Sequence, residues 1–243
     1  MEFSIQTANG WKRFAAFLLD AICLSILAVG AGTLISLLTG YTSKTEQMEA
    51  AFSRYEQEYG VSFRITEETF NQYSQEEKEK YQAAYAALTA DQEVMKLYQT
   101  IVSLMLLMVS FSLLAAFLIL EFAVPLKLGH GRTIGKKIFG LAVMDTDGVK
   151  LKPVALFARS ILGKYTVETM IPAFVITMLF FNMVGRLGIL LLMVLMIIQV
   201  ILFWSSQNRP LIHDKLASTV AVDFASQQIF DTREEMIEAK KNY

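Results

Sequence analysis

The sequence predicts an all-α integral membrane protein with four transmembrane helices. A helical extracytoplasmic insertion is expected between helices 1 and 2. A short cytoplasmic hairpin plus an interfacial helix is expected between helices 2 and 3. Three observations carry this reading. Hydrophobic residues make up 54% of the 243-residue chain and charged residues only 19%, where soluble domains keep roughly 25% charged. Apolar stretches recur at lengths near the roughly 20 residues that a helix needs to cross a bilayer. Basic and acidic residues are segregated into different connecting segments, which fixes an orientation.

The first span, about 14–38, carries a single formal charge, Asp20. It is too long for a signal-peptide apolar region and no small-residue cleavage pattern follows it, so it reads as retained. The second, about 97–124, is interrupted only by Glu121. The third, about 166–184, holds Glu168 and Pro172 in its first turns, a combination suited to a broken or cavity-lining helix entry. The fourth, about 187–204, has Gln199 as its polar interruption, and the short Val184-Gly185-Arg186 link makes spans three and four a tight helical hairpin.

Orientation follows from the lysines and arginines. Between Pro125 and Tyr165 stand eight basic residues against two acids, whereas between Tyr41 and Tyr98 six basic residues face eleven acids. The first segment is therefore expected in the cytoplasm and the second outside. With four spans, both termini fall inside, in a cell-membrane protein.

The connecting segments have patterns of their own. In the insertion, 41–96, Met48, Phe52, Tyr55 and Tyr59 recur at helical spacing before Gly60, a stop signal. Ser74 with Glu77 reads as a capping box opening a helix through Leu88, and Thr89 with Gln92 repeats the signal before the second span. Tyr73, Tyr81 and Tyr85 are expected on its surface, where they would suit a partner protein. On the cytoplasmic side, Asp147-Gly148 is a hairpin turn pair between short β-like runs. Pro153 opens a helix through Leu162 that Gly163 is expected to end at the membrane interface. The segment 225–243 is charged and reads as a solvated tail, leaving 1–224 as the membrane domain.

Several chemistries find no support in the sequence. The single cysteine, Cys23, stands among Ile22, Leu24 and Ile26, where a buried structural thiol is expected. Two histidines are too few for a histidine-built metal site, and no cofactor is indicated. GRTIGKK has the wrong glycine spacing for a phosphate-binding loop, so its glycines are expected to allow tight turns and its lysines to meet anionic headgroups. His213-Asp214 lacks a serine elbow or a second histidine, so catalysis is not expected. Nor is nucleic acid an expected partner. The expected partners are the lipid bilayer, further copies of the chain, and a membrane protein.

Three blocks resemble one known family. Arg13 and Asp20 lie in WKRFAAFLLDAICL, the glycine- and lysine-containing GRTIGKKIFGLAVMDTDG runs from Gly131 to Gly148, and Asp214 stands in NRPLIHDKLASTVAV with His213, Ala217, Thr219 and Val220. In this order they resemble the RDD family of bacterial membrane proteins, named for an arginine and two aspartates. The resemblance implies a multi-pass membrane protein of largely uncharacterised activity, for which transport of unknown ligands has been suggested. The long insertion and the apolar hairpin depart from the minimal pattern, so nothing is carried over onto them.

The chemistry of these residues narrows the expectation. A carboxylate in the middle of a membrane helix costs about 2.5 to 3.5 kcal/mol on insertion scales, so Asp20 requires a partner, a proton or water. Arg13 lies on the same helical face about 10 Å away along the axis, too far for an ideal direct pair. The expected solution is a polar cluster at the inner membrane face, drawing on Arg13, Asp20, His213, Asp214, Arg132, Lys136, Lys137 and Arg159, with Asp214, just past the fourth span, also placed to receive Arg13. Glu121 is expected to face the interface. Such a cluster either fixes helix packing or binds an ion, proton or ligand. The competing reading is a non-catalytic adaptor that holds a partner through the insertion or the cytoplasmic face.

Overall fold

The computed structural model describes residues 5–180, 184–205 and 209–241. Residues 181–183, at the end of the expected third span, lie outside the described residues. Among the described residues, three helices are long and apolar enough to cross a membrane: Gly10–Thr39, Gln92–Leu128 and Gly185–Trp204. The chain divides into two compact units, one comprising Met1–Ala31 with Ser112–Tyr243 and the other Gly32–Phe111.

The smaller unit contains the C-terminal end of α1 (Gly10–Thr39), then α2 (Tyr41–Tyr59), α3 (Glu67–Gln72), α4 (Gln75–Ala90) and the start of α5 (Gln92–Phe117). The sequence signals act here as expected. α2 ends where Gly60 adopts φ 64° and its N–H reaches back to the Glu56 carbonyl. At α4, Ser74 and Glu77 cap each other's backbone in a complete capping box. Met48, Leu88 and Val94 form a buried core with Phe52 and Tyr55 packed against it.

Two expectations are corrected. α5 is capped by Asp91, which accepts from the amides of Glu93 and Val94, while Thr89 donates back into α4 to the Tyr85 carbonyl. Asp91 wins because it also receives the Tyr55 hydroxyl and Arg54. Of the three tyrosines, Tyr85 is exposed, but Tyr81 packs edge-on against Phe63 and at a tilt against Phe70.

In the larger unit, α5 continues without a break through a π-helical segment, Leu118–Ala123, into α6 (Val124–Leu128). After the short α7 (Ile134–Ile138) comes β1 (Leu141–Asp145). The Asp147-Gly148 turn forms, with the Asp145 amide on the Val149 carbonyl at 2.9 Å and a single bridge from Met144 to Lys150. Its returning strand, however, is that one bridge. The full partner of β1 is β2 (Thr219–Asp223), antiparallel with Val143 opposite Ala221. Ala142, Met144, Val220 and Val222 are buried together, and the N-terminal segment adds Thr7 to the other edge of β2. The fold is thus helical with one two-stranded ribbon, and the ribbon closes a loop of distant sequence.

The helix opened by Pro153 differs most from expectation. α8 (Pro153–Phe157) does not end at Gly163 but runs into a π-helical segment, Ala158–Met170, and on into α9 (Ile171–Phe180). Gly163 instead permits close packing: a Cβ there would sit 2.6 Å from the Cβ of His213. α10 (Gly185–Ser205) follows, then α11 (Ile212–Leu216), β2 and α12 (Arg233–Lys241). The segment after Phe224 docks rather than trailing into solvent. Phe230 exchanges backbone bonds with Gly148 and Lys150, Gln227 is buried, and Arg233 pairs with Asp147. Cys23, in α1, is half-buried.

The ribbon yields a stability prediction. Met144 is fully buried between the strands, and truncating such a side chain leaves a cavity worth about 2 to 5 kcal/mol. Met144→Ala should lower the unfolding temperature of the detergent-solubilised protein by many degrees; an unchanged melt would show that the ribbon contributes nothing to the fold.

Candidate functional site

The charged residues of the larger unit gather in two linked clusters around one cavity. The first is built on Asp20. Its α1 position puts the carboxylate against the start of α7, where Oδ2 accepts from the Thr133 hydroxyl at 2.5 Å and Oδ1 from the Gly135 amide at 2.8 Å. Asp20 therefore caps another helix of the chain, supplying an anion to otherwise unpaired N–H groups. The contact demands glycine: a Cβ on Gly135 would lie 2.3 Å from the Ala16 carbonyl oxygen. The close approach made by this glycine is to α1 rather than to a bilayer surface.

Lys136 follows directly and also turns inward. Its ammonium lies 3.9 Å from Asp20 and 3.8 Å from Glu121, and donates to the Thr133 hydroxyl at 3.2 Å. Burial pushes its pKa down and Glu121 pulls it back, leaving it at about 8. Glu121 is buried, not turned to the interface, and takes a 2.6 Å bond from Lys164. Burying it outside such pairing would be prohibitive.

The second cluster is built on Asp214, which is 1% exposed. It pairs closely with Arg159, which also donates to Thr219, and at 3.4 Å with Arg13; its own side chain accepts from the Leu211 amide at 3.0 Å. Burial opposes ionisation of Asp214, but Arg159, His213, the Leu211 amide and Arg13 outweigh it and hold the carboxyl well below its usual range. Arg13 also donates to the Arg209 carbonyl at 2.9 Å. Next to Asp214, His213 places Nδ1 within 2.9 Å of both oxygens of Glu168, and Glu168 accepts the His213 amide as well. Burial keeps the imidazole below its ordinary pKa of 6.5, reinforced by Arg159 and opposed by Asp214 and Glu168.

The sequence expectation placed Arg13 and Asp20 together through a third group. Instead the two residues serve different clusters. Arg132 belongs to neither: it caps the end of α6 through the Leu128 and Gly129 carbonyls and stacks 4.3 Å over Phe224. Lys137 is exposed and also takes no part in either cluster. Three residues missed as site members are Glu121, Lys164 and Thr133.

The π-helical segment explains how one helix supplies three of these charges. Along an α-helix at about 100° per residue, Arg159 and Glu168, nine apart, would point to opposite sides. A π-helix bonds i to i+5 and turns more slowly per residue, so side chains four and five apart stack. Arg159, Lys164 and Glu168 have that spacing, and all three line the cavity. Thr166 and Thr169 donate their hydroxyls to the carbonyls five residues earlier, at Ile161 and Lys164.

The cavity measures about 670 Å³. Asp20, Glu121, Lys136 and Arg13 line it beside Phe14, Phe17, Phe117 and Phe203, and Gln199 reaches it from α10. Such a site offers an ionic floor and apolar walls within helices able to span a membrane. Among the described residues, no group of three or more His, Cys, Asp or Glu could hold a metal ion.

Membrane-length helices tied by a buried arginine and aspartate network define a membrane protein of the kind in which Arg13, Asp20 and Asp214 form a signature. The RDD family model matches residues 7–218, and the chain belongs to the RDD family. No curated protein and no solved structure matches it significantly.

Two predictions test this geometry. Gly135→Ala should destabilise the protein by about 1 to 3 kcal/mol, the usual cost of overpacking. Gly30→Ala, in α1 with nothing within 4 Å of its Cβ position, should stabilise it by about 0.5 to 1 kcal/mol; equal effects would remove the packing argument. The second concerns pH. Because folding depresses the His213 pKa, the unfolded chain takes up the proton first, so stability is full above about 6.5 and falls as pH drops below it. Thermal melts between pH 8 and 5 should show this loss, and His213→Gln should reduce it, the remainder coming from His130, whose imidazole is also held below its usual range by burial and by Arg132.

Proposed function

We propose that this protein is a four-span, non-enzymatic transporter of the cell membrane, with both termini cytoplasmic, moving an ion, a proton or a small ligand through the cavity at the inner membrane face. Four spans make a thin pathway, so the reading includes a homo-oligomer. The third span in this layout is the continuous helix from Pro153 through Phe180, which pairs with α10 as the fourth.

The observation that carries the reading is Lys136. A buried ammonium near 4 Å from two carboxylates, on a cavity wall, has short bonds to neither. With a pKa of about 8 it changes charge near neutral pH. Losing that proton leaves Asp20 and Glu121 with one fewer compensating charge, and a cation or an incoming proton restores the balance. Intramembrane and membrane-edge ionisable groups in transport proteins work by this kind of exchange.

The test is flux in reconstituted vesicles. Asp20→Asn keeps an acceptor for the Gly135 amide and a donor toward Thr133, so the protein should insert and stay folded while ion or proton flux is lost. Persistent flux would sink the role of Asp20. Wild-type flux should titrate with a midpoint near pH 8, and Lys136→Arg, which stays charged, should abolish that dependence.

An adaptor role is the second reading, favoured by the separate buried core of the unit Gly32–Phe111 and by its acidic surface. In it, a membrane protein partner docks on these helices. Deleting Ser43–Ala90 should then break a co-purifying complex while leaving insertion intact.

A further inference from the structure

We propose that the arginine end of the cavity is a binding site for an anionic phospholipid, with the headgroup phosphate held by Arg13 and Arg209 and the acyl chains against Phe14, Phe17 and Phe203. This goes beyond the transport reading and rests on it only for the placement of the cavity in a bilayer.

Charge distribution is the first argument. The carboxylates on the cavity are already engaged: Asp20 by Thr133 and Gly135, Glu121 by Lys164, and Glu168 by His213. Elsewhere on the wall, Arg13 and Arg159 share a single carboxylate, Asp214, and the Arg209 guanidinium has no carboxylate within ion-pair distance among the described residues. Arg159 takes the close contact, while Arg13 reaches Asp214 only at 3.4 Å and otherwise bonds the carbonyl of Arg209. The Arg209 guanidinium stands beside Gly10, 3.7 Å from where a Cβ would be, and 5.7 Å from the Phe203 ring centre. Gly10, Arg13 and Phe203 all line the cavity. Arg13 lines the cavity and Arg209 stands beside two of its lining residues, Gly10 and Phe203, with Arg13 holding only a shared carboxylate. A phosphate monoanion or diester supplies the missing counter-charge through charge-assisted, bidentate bonds.

Access is the second argument. Phe14 and Phe17 line the cavity and are also 52% and 62% exposed on the outside of α1. The mouth therefore opens sideways, at the level of an apolar membrane-length helix, where acyl chains rather than water are the neighbours. Trp11, 79% exposed one turn earlier, has the amphipathic ring favoured at the headgroup level. A ligand entering there carries an apolar tail, and the arginines select a negative head. Basic pockets between membrane helices recognise anionic headgroups by this combination.

The experiment is native mass spectrometry of the full chain, purified in detergent and offered an equimolar mixture of phosphatidylglycerol and phosphatidylcholine. The expected result is preferential retention of one phosphatidylglycerol. Arg209→Gln, whose exposed side chain carries none of the buried bonds, should reduce that retention about fivefold, the value of one basic residue near a lipid headgroup, with phosphatidylcholine unchanged. Lys152→Gln, an exposed lysine outside the cavity, should leave it intact. Equal retention of the two lipids overturns the proposal. So does an equal loss in Arg209→Gln and Lys152→Gln, which would mark general surface charge. Oleate binding in place of phosphatidylglycerol would overturn the phospholipid as occupant. None of these readouts involves flux, so they stand apart from the test of Asp20.

Discussion

The larger unit depends on Asp214 remaining ionised where water does not reach. A carboxylate 1% exposed cannot keep its charge alone, and its two arginines come from α1 and from the π-helical segment after α8. Thr219, which shares Arg159 with it, begins β2. One buried anion thereby joins the first helix, the helix from Pro153 and the strand that pairs with β1. Asp20 repeats the principle on a smaller scale, joining α1 to the loop through the start of α7. In both places the apolar helices supply length and burial, while the relative placement of the segments is set by the few atoms that burial forbids to stay unpaired.

How much of this was legible in the sequence follows from the range of each signal. Gly60, Ser74 with Glu77, and Pro153 act within one turn of helix, and each does what its local chemistry dictates. Thr89 failed because Asp91, two residues on, collects Tyr55 and Arg54 from a helix distant in sequence, a gain that no local pattern records. The hairpin at Asp147-Gly148 was legible as a turn but not as an incomplete strand pair, since β2 lies more than seventy residues further along. Arg13, Asp20 and Asp214 were recognisable as a set, and Asp214 as a partner for Arg13, a pair the fold makes at 3.4 Å. What seven residues along one face of α1 wrongly suggested was a third group shared by Arg13 and Asp20, since Asp20 is held instead by Thr133 and Gly135.

The π-helical segment is the instructive miss. Read at the α-helical period, Arg159, Lys164 and Glu168 scatter around a helix, and Gly163 appears as its end. Read at spacings of four and five they fall on one side, and the two threonines at 166 and 169 add hydroxyls that bond five residues back. Gly163 then has a packing role against His213. The information was in the sequence, but the expected period concealed it. Long π-helical stretches are uncommon and tend to occur at functional sites, which is reason to attach weight to the side chains this one aligns.

The two clusters differ in what a substitution can teach. Arg159 and Asp214 are closely paired and buried. Without Asp214 the Arg159 charge keeps only the Thr219 hydroxyl, and without Arg159 the buried Asp214 keeps a longer contact to Arg13 and the Leu211 amide, so breaking the pair costs about 3 to 5 kcal/mol whatever its role. Lost function at those positions would not separate a structural tie from a working site. Lys136 is different, because its two carboxylates keep other donors when it is absent: Asp20 retains Thr133 and Gly135, and Glu121 retains Lys164. The structure has thus placed a titratable group where its charge matters to the cavity while the fold holds by other bonds. Lys136 is therefore the position where a substitution separates a charge-dependent role of the cavity from the hydrogen bonds that hold the segments together.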